Sequence, residues 1–126
     1  MGYLEWDMTH SVLKNIRPFY KSWLTILEPG DYYVYSRVTF SKGDSKRPLA
    51  SAVKLRKSKT EKEKVVMQAF CSLDSNDNTA SAPRLCTATQ GEVISLEEGN
   101  QLCVWVQDLS LVNYDEGATT FGMYKL

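Results

Sequence analysis

The segment Tyr32–Phe40 constrains the fold of this chain more than any other stretch. It is rich in aromatic and β-branched residues and contains neither glycine nor proline, which favours an extended strand. Its odd and even positions are both largely apolar, so we expect both faces of the strand to be covered. The preceding turn, Glu28–Asp31, has proline at its second position and glycine at its third. The segment Trp23–Leu27 before that turn is predicted to be the antiparallel partner.

Further strands are predicted where short apolar or β-branched runs lie between turn residues. They are Leu49–Leu55, Val65–Phe70, Glu92–Leu96, Gln101–Val106 and Thr119–Leu126. Glu97–Asn100 is predicted to be a tight turn between two of them. Strands at this spacing indicate an all-β sandwich or barrel. We expect Asp7–Ile16 to be a loop with one helical turn, and Lys57–Lys64 to be the solvated tip of a hairpin.

Length and composition describe one soluble domain. The chain has 126 residues, of which 43% are hydrophobic and 24% charged, and this excludes a disordered chain. No apolar run has the length needed to cross a bilayer, and no signal peptide is recognisable. Any anchor or leader is therefore expected to lie outside this segment.

The formal net charge of zero conceals an uneven distribution of charge. Residues 42–64 hold nine basic and three acidic side chains, whereas residues 65–126 hold two basic and eight acidic ones. Overall neutrality argues against a general nucleic-acid binder, whose affinity would depend on phosphate neutralisation. The basic stretch is either a solvated loop face or a docking surface for an acidic partner.

The residues that carry catalysis or bind metals are scarce. His10 is the single histidine, no CxxC pair occurs, and no glycine-rich phosphate loop is present, so neither a metal nor another cofactor is predicted. The acidic pairs Glu97-Glu98 and Asp115-Glu116 fall in predicted turns, where solvated side chains are usual. We therefore expect a protein that is not an enzyme.

The three cysteines divide into two kinds of environment. Cys71 and Cys86 flank the polar stretch Ser72–Arg84, and a bridge between them would stabilise the fold by about 3 kcal/mol on the chain-entropy relation. Cys103 lies in the apolar run Leu102–Val106 and is predicted to be a small buried hydrophobe.

Several ordered motifs resemble those of the tumour necrosis factor ligand superfamily. They are an early Leu-x-Trp element (Leu4–Trp6), a short strand and turn leading into a tyrosine-rich strand (Leu24–Phe40), an apolar strand followed by a Glu-x-Gly turn (Val93–Leu102), and a closing Phe-Gly strand (Asp108–Leu126). The C-terminal part is most similar to the Fas ligand branch. The resemblance spans nearly the whole chain.

The resemblance implies a jelly-roll β-sandwich that assembles as a homotrimer. It also implies an extracellular location, secreted or as the ectodomain of a type II plasma-membrane protein, and binding of cysteine-rich receptors of the tumour necrosis factor receptor family between subunits. Residues 1–126 would be a single domain that begins after the family's first outer strand. The family's usual disulfide needs a cysteine in the loop Ser41–Pro48, which has none, so Cys71–Cys86 is the remaining candidate.

Subunit and receptor contacts are assigned by the same resemblance. The positions that match residues facing the threefold axis are Tyr33, Tyr35, Arg37, Ile94, Phe121 and Leu126. Thr89 and Thr120 stand where aromatic residues are common in the family, so the trimer is expected to be weaker than usual.

The receptor contacts are predicted on and beside the basic hairpin: Arg47, Lys57, Lys59, Thr60, Glu61 and Lys62. Lys59 takes the place of a tyrosine that anchors receptors in many members, so recognition would be electrostatic. Two other functions stay open on the residues alone. One is a pattern- or carbohydrate-binding module of the complement globular-domain type, and the other is a nucleic-acid or glycosaminoglycan binder acting through residues 42–64.

Overall fold

The computed structural model describes residues 2–6, 16–19, 22–41, 48–72, 85–115 and 117–126. Within these ranges the chain forms antiparallel strands and one short 3-10 helix, Leu109–Leu111. The strands are β1 (Ile16–Phe19), β2 (Trp23–Ile26), β3 (Gly30–Ser41), β4 (Leu49–Arg56), β5 (Lys64–Cys71), β6 (Leu85–Leu96), β7 (Gln101–Val106) and β8 (Thr120–Lys125).

The strands form two sheets, with the orders β1-β2-β7-β4-β5 and β6-β3-β8. Every strand pair in both sheets is antiparallel. The predicted fold class, an all-β jelly-roll sandwich, is confirmed. The core lies between the sheets, where Val34 and Phe40 from β3 pack in one cluster with Val53 from β4 and Val104 from β7, all at 0% exposure.

The predicted pairing of β2 with β3 is wrong. β2 pairs with β1 and β7 in the five-stranded sheet, whereas β3 pairs with β6 and β8 in the other sheet. The segment between them is a corner at which the chain changes sheets. The Tyr32 hydroxyl donates a hydrogen bond to the Glu28 carbonyl at 2.6 Å and so holds this corner closed.

The turn Glu97–Asn100 is a second corner of the same kind. It joins β6 to β7, which lie in different sheets, so it does not close a hairpin. The Asn100 side-chain oxygen accepts the Glu97 N–H at 2.9 Å, and Gly99 has a φ of +90°, a value that glycine adopts without steric cost. The Gly99 N–H then donates to the Ile26 carbonyl at 2.8 Å, which ties this corner to β2.

The strand β7 has the predicted limits Gln101–Val106, and the other predicted strands are present with changed limits. β6 begins at Leu85, seven residues before the predicted start at Glu92, and β1 was not predicted. The predicted loop over residues 7–16 lies outside the described residues except for Ile16, which begins β1. The predicted hairpin tip is confirmed, because β4 and β5 pair on either side of residues 57–63.

The N-terminal residues 2–6 extend the five-stranded sheet beside β7. The Leu4 N–H donates to the Val104 carbonyl at 3.0 Å, and the Gly2 carbonyl accepts from the Val106 N–H at 2.7 Å. Leu4 is buried in the core at 1% exposure. This short segment is therefore held both by backbone hydrogen bonds and by burial of an apolar side chain.

The disulfide between Cys71 and Cys86 is present, with their Cα atoms 5.8 Å apart. It joins the end of β5 to the start of β6 and so connects the two sheets at one end of the sandwich. Cys103 is a buried free thiol at 0% exposure, which confirms the prediction for that residue.

Candidate interaction surfaces

The outward face of the three-stranded sheet carries aromatic side chains that the chain itself leaves uncovered. Along β3, Tyr32, Val34 and Val38 point into the core, whereas Tyr33 and Tyr35 point outward. Tyr35 is 39% exposed. The expectation that both faces of β3 are covered therefore holds within one chain for the inner face only.

Two glycines let the tyrosine rings lie flat on this face. The register places Gly91 of β6 and Gly122 of β8 on either side of Tyr35. A β-carbon at Gly91 would overlap the Tyr33 hydroxyl, and one at Gly122 would overlap the Tyr35 ring. Each ring therefore lies across a neighbouring strand at a position where only glycine leaves room.

Tyr124 of β8 completes a continuous aromatic surface. The Tyr33 ring lies 5.6 Å from the Tyr124 ring and 6.0 Å from the Tyr35 ring, within the usual range for interacting aromatic pairs. We call the surface formed by Tyr33, Tyr35, Tyr124, Gly91 and Gly122 the tyrosine platform.

A depression lies at the Arg37 end of the tyrosine platform. It has a volume of about 550 Å³, and Thr89 and Thr120 line it together with both rings of the Tyr33–Tyr35 pair. These are the two threonines for which the sequence resemblance predicts positions that are commonly aromatic. The Arg37 guanidinium donates a hydrogen bond to the Gly117 carbonyl of its own chain beside the depression.

The structure separates the six residues predicted at the threefold axis. Tyr33, Tyr35 and Arg37 lie on the outward face. Ile94 and Phe121 lie opposite buried residues of β3 and pack against the core, so they do not share that face. A subunit contact of these two residues stays a prediction.

Leu126, the sixth residue, follows β8 directly. It is 66% exposed, and its N–H donates to the Asp31 carbonyl at 2.8 Å.

Sequence reasoning missed Tyr124 and Val93, which are 54% and 52% exposed on the same face as Tyr33. No local pattern marks these two residues, because only the pairing of β3 with β6 and β8 places them opposite Tyr33.

The outward face of the five-stranded sheet also carries two tryptophan rings, and cations of the same chain lie over both of them. The Arg56 guanidinium lies 3.8 Å from the centroid of the Trp23 ring, and the Lys54 ammonium lies 4.8 Å from that of Trp105. Both arrangements are cation–π contacts within the usual range. Trp23 is 8% exposed, so its ring leaves little area for a partner, whereas Phe70 and Val65 of the edge strand β5 are 58% and 49% exposed.

The basic hairpin Lys57–Lys64 projects between β4 and β5. The predicted receptor residues Lys57, Lys59, Thr60, Glu61 and Lys62 are all exposed. The Glu61 N–H donates to the Ser58 carbonyl at 3.2 Å, which closes the tip. Arg47, the sixth predicted receptor residue, lies outside the described residues.

Glu63 differs from the other charged residues of the basic hairpin, because it is turned toward the sheet. Its carboxylate accepts a hydrogen bond from the Tyr3 hydroxyl and pairs with the Lys54 ammonium at 3.2 Å. Burial, and next the hydrogen bond to Glu63, raise the pKa of Tyr3 to about 12.

The thiol of Cys103 lies in β7 next to this cluster. Burial raises its pKa to about 12, and the nearby Glu63 carboxylate acts in the same direction, whereas Lys54 and Arg56 lower it. Such a thiol stays protonated at neutral pH and is a poor nucleophile.

Two features are absent from the described ranges. Within them, no three or more histidine, cysteine, aspartate or glutamate side chains come together as a metal would require. Nor do these ranges contain a helix whose length and apolarity would let it cross a membrane.

The fold and the surfaces define a class of protein. It is an antiparallel jelly-roll sandwich in which the outward face of one sheet is rich in tyrosine and is not covered by the chain itself. Residues 4–126 match the tumour necrosis factor (TNF) family. The chain belongs to this family.

Similar proteins support the same assignment. The chain is 35% identical to the human tumour necrosis factor ligand superfamily member 6 (Fas ligand) and 33% identical to the mouse protein of that name, in each case over 98% of its own length. It is 28% identical to the chicken CD40 ligand over 98% of its length. The chain spans 43–44% of the length of these relatives.

Proposed function

We propose that this chain is a cytokine-type ligand that assembles as a homotrimer and clusters cysteine-rich receptors of the tumour necrosis factor receptor family in the grooves between its subunits. The observation that carries the proposal is the bare tyrosine platform on a chain of this family. A contiguous apolar surface of this kind marks an interface in soluble proteins, and identical copies are its natural cover. The protein acts extracellularly, either secreted or as the ectodomain of a type II membrane protein, and without catalysis.

Sedimentation velocity at micromolar concentration tests the assembly. The wild type is expected to sediment with three times the mass of the 14.3-kDa chain. Tyr35→Glu places a charge in the middle of the platform and should leave a monomer, because an unpaired charge in a subunit interface is strongly unfavourable. Tyr114→Glu is the matched control, since Tyr114 is 66% exposed and lies between the 3-10 helix and β8. A monomeric wild type would refute the trimer.

The basic hairpin is the part of the proposal that concerns the receptor. Its exposed lysines favour an acidic receptor surface, and such a contact raises the association rate mainly at low salt. We expect one or more receptor ectodomains of the family to bind the wild type, and the triple variant Lys57→Glu, Lys59→Glu, Lys62→Glu to associate at least tenfold more slowly in surface plasmon resonance. An unchanged rate at low salt would remove the basic hairpin from the interface.

A further inference from the structure

The base of the basic hairpin is tied to a part of the chain that is distant in sequence. Glu63 precedes β5 directly, and one of its carboxylate oxygens, Oε1, accepts from both the Tyr3 hydroxyl and the Lys54 ammonium. Tyr3 and Glu63 are 60 positions apart. The side chains of Lys54 and Glu63 are only 19% and 29% exposed, so solvent weakens this pair less than a fully exposed one.

Contacts of Tyr3 and of its neighbours hold the Tyr3 hydroxyl in place. Backbone hydrogen bonds hold its neighbours Gly2 and Leu4 to β7. Its ring lies 6.0 Å from the Trp23 ring, and the Lys54 ammonium lies 5.6 Å from its centroid. The hydroxyl is therefore a fixed donor toward which the Glu63 carboxylate turns, and hydrogen bonds to charged groups are among the stronger ones in proteins.

This contact affects both the shape and the charge of the basic hairpin. With Glu63 held against the sheet, Glu61 is the one acidic side chain at the exposed tip, among Lys57, Lys59 and Lys62. A released Glu63 carboxylate could pair with a neighbouring lysine and compete with an acidic partner for it.

We propose that Tyr3 is a positioning residue for receptor recognition, which holds Glu63 against the sheet and thereby sets the geometry and the basic charge of the hairpin. The receptor half of this inference rests on the function proposed above. We call the contact between the Tyr3 hydroxyl and the Glu63 carboxylate the strap. The strap is a property of the free chain, so it is measured without a receptor.

Amide hydrogen exchange of the wild type and of Tyr3→Phe tests the strap. The variant keeps the ring that packs near Trp23 and removes the donor alone. Exchange in the peptide 57–65 should become about tenfold faster, in keeping with the loss of one hydrogen bond to a charged group. Exchange in the peptide 32–40 of β3 should not change. Tyr114→Phe is the matched control and should leave both peptides unaffected.

Receptor binding by the same variants tests the consequence. Tyr3→Phe should bind the receptor ectodomain selected by the wild type at least threefold more weakly at low salt, because the hairpin is less ordered and less basic. Glu63→Gln with Tyr3 intact, which removes the carboxylate charge but keeps a hydrogen-bond acceptor for Tyr3, should keep most of the wild-type affinity.

Each result decides a separate point. Unchanged exchange at residues 57–65 in Tyr3→Phe overturns the strap. Faster exchange with unchanged receptor affinity overturns the role of Tyr3 in recognition. If the wild type binds no receptor of the family, the proposed function fails, and the exchange result still decides whether Tyr3 orders the hairpin.

Discussion

The tryptophan rings on the outward face of the five-stranded sheet and the tyrosine rings on that of the three-stranded sheet differ in whether the chain itself covers them. On the five-stranded sheet, Trp23 and Trp105 lie beneath the cationic groups of Arg56 and Lys54. On the three-stranded sheet, the chain leaves the rings of the tyrosine platform uncovered. The neighbouring Arg37 guanidinium donates a hydrogen bond to the Gly117 carbonyl of its own chain. The number of aromatic residues therefore does not identify an interface here.

What distinguishes the two faces is whether the chain supplies its own cover. A cation–π contact satisfies a ring locally, and the aliphatic stem of lysine or arginine covers part of its apolar area. The tyrosine platform has glycine beside its rings, and threonine lines the depression at its Arg37 end. The first face is expected to contribute to the stability of one chain, and the second to the association of several.

The largest expected effect concerns Cys103 beneath the covered face. Because its pKa is raised from 9.0 to about 12, the thiolate fraction at pH 8 should be about a thousandfold lower than in the unfolded chain. An aromatic disulfide reagent should therefore label almost no thiol in the native protein and one thiol after denaturation without a reductant. Rapid native labelling would contradict the burial, and three thiols in the denatured chain would contradict the disulfide.

The raised pKa of the Cys103 thiol makes the free energy of unfolding depend on pH. Its folded pKa lies above its unfolded value, so it contributes to stability fully below about pH 9 and loses that contribution as the pH rises toward 12. The free energy of unfolding should fall over this range, and Cys103→Ala should make the fall shallower.

The second-largest expected effect is the loss of stability when a covered ring is removed. Trp23→Ala should lower the free energy of unfolding by about 3 kcal/mol, because it removes a large buried side chain and leaves a cavity beneath Arg56. Urea denaturation should show this loss at every protein concentration. Tyr124→Ala removes a ring from the bare face and is the matched control.

The Tyr124→Ala control should behave differently with concentration. Its loss of stability is expected only where the wild type is assembled, since the side chain is 54% exposed in the single chain. A loss that does not depend on concentration would mean that both faces serve the single chain alike, and the comparison would fail.

Local patterns in the sequence predicted the strands but not which face stays bare. The run Tyr32–Phe40 is apolar at both sets of positions, so its pattern indicates two covered faces without saying what covers each. The answer depends on partners such as Gly91 and Gly122, which approach β3 from distant parts of the chain. The pairing of Tyr3 with Glu63 likewise has no local signal.

The missed and misplaced elements have specific physical causes. β1 contains Pro18, which argues against a central strand but is tolerated at the edge of a sheet, where β1 lies. The first half of β6 is rich in threonine and alanine, so it lacks the apolar run that marks a strand. The corner after Ile26 has the chemistry of a hairpin turn, and only long-range register shows that the chain changes sheets there.

The smallest expected effect tests the flatness of the tyrosine platform. In Gly122→Ala the new methyl group would overlap the Tyr35 ring, and the far end of that side chain can move outward at little cost to the fold. The displaced ring should weaken assembly of the proposed homotrimer about tenfold, since a raised ring disturbs close packing between subunits. Sedimentation equilibrium measures the change.

A double-mutant cycle shows whether the effect of Gly122→Ala acts through the ring. Tyr35→Ala alone should weaken assembly, and adding Gly122→Ala to it should change nothing further, because no ring remains to be displaced. If the two losses simply add, Gly122 acts independently of Tyr35. Assembly through the bare face would then depend on which rings it carries, and not on the flat placement of those rings that the two glycines allow.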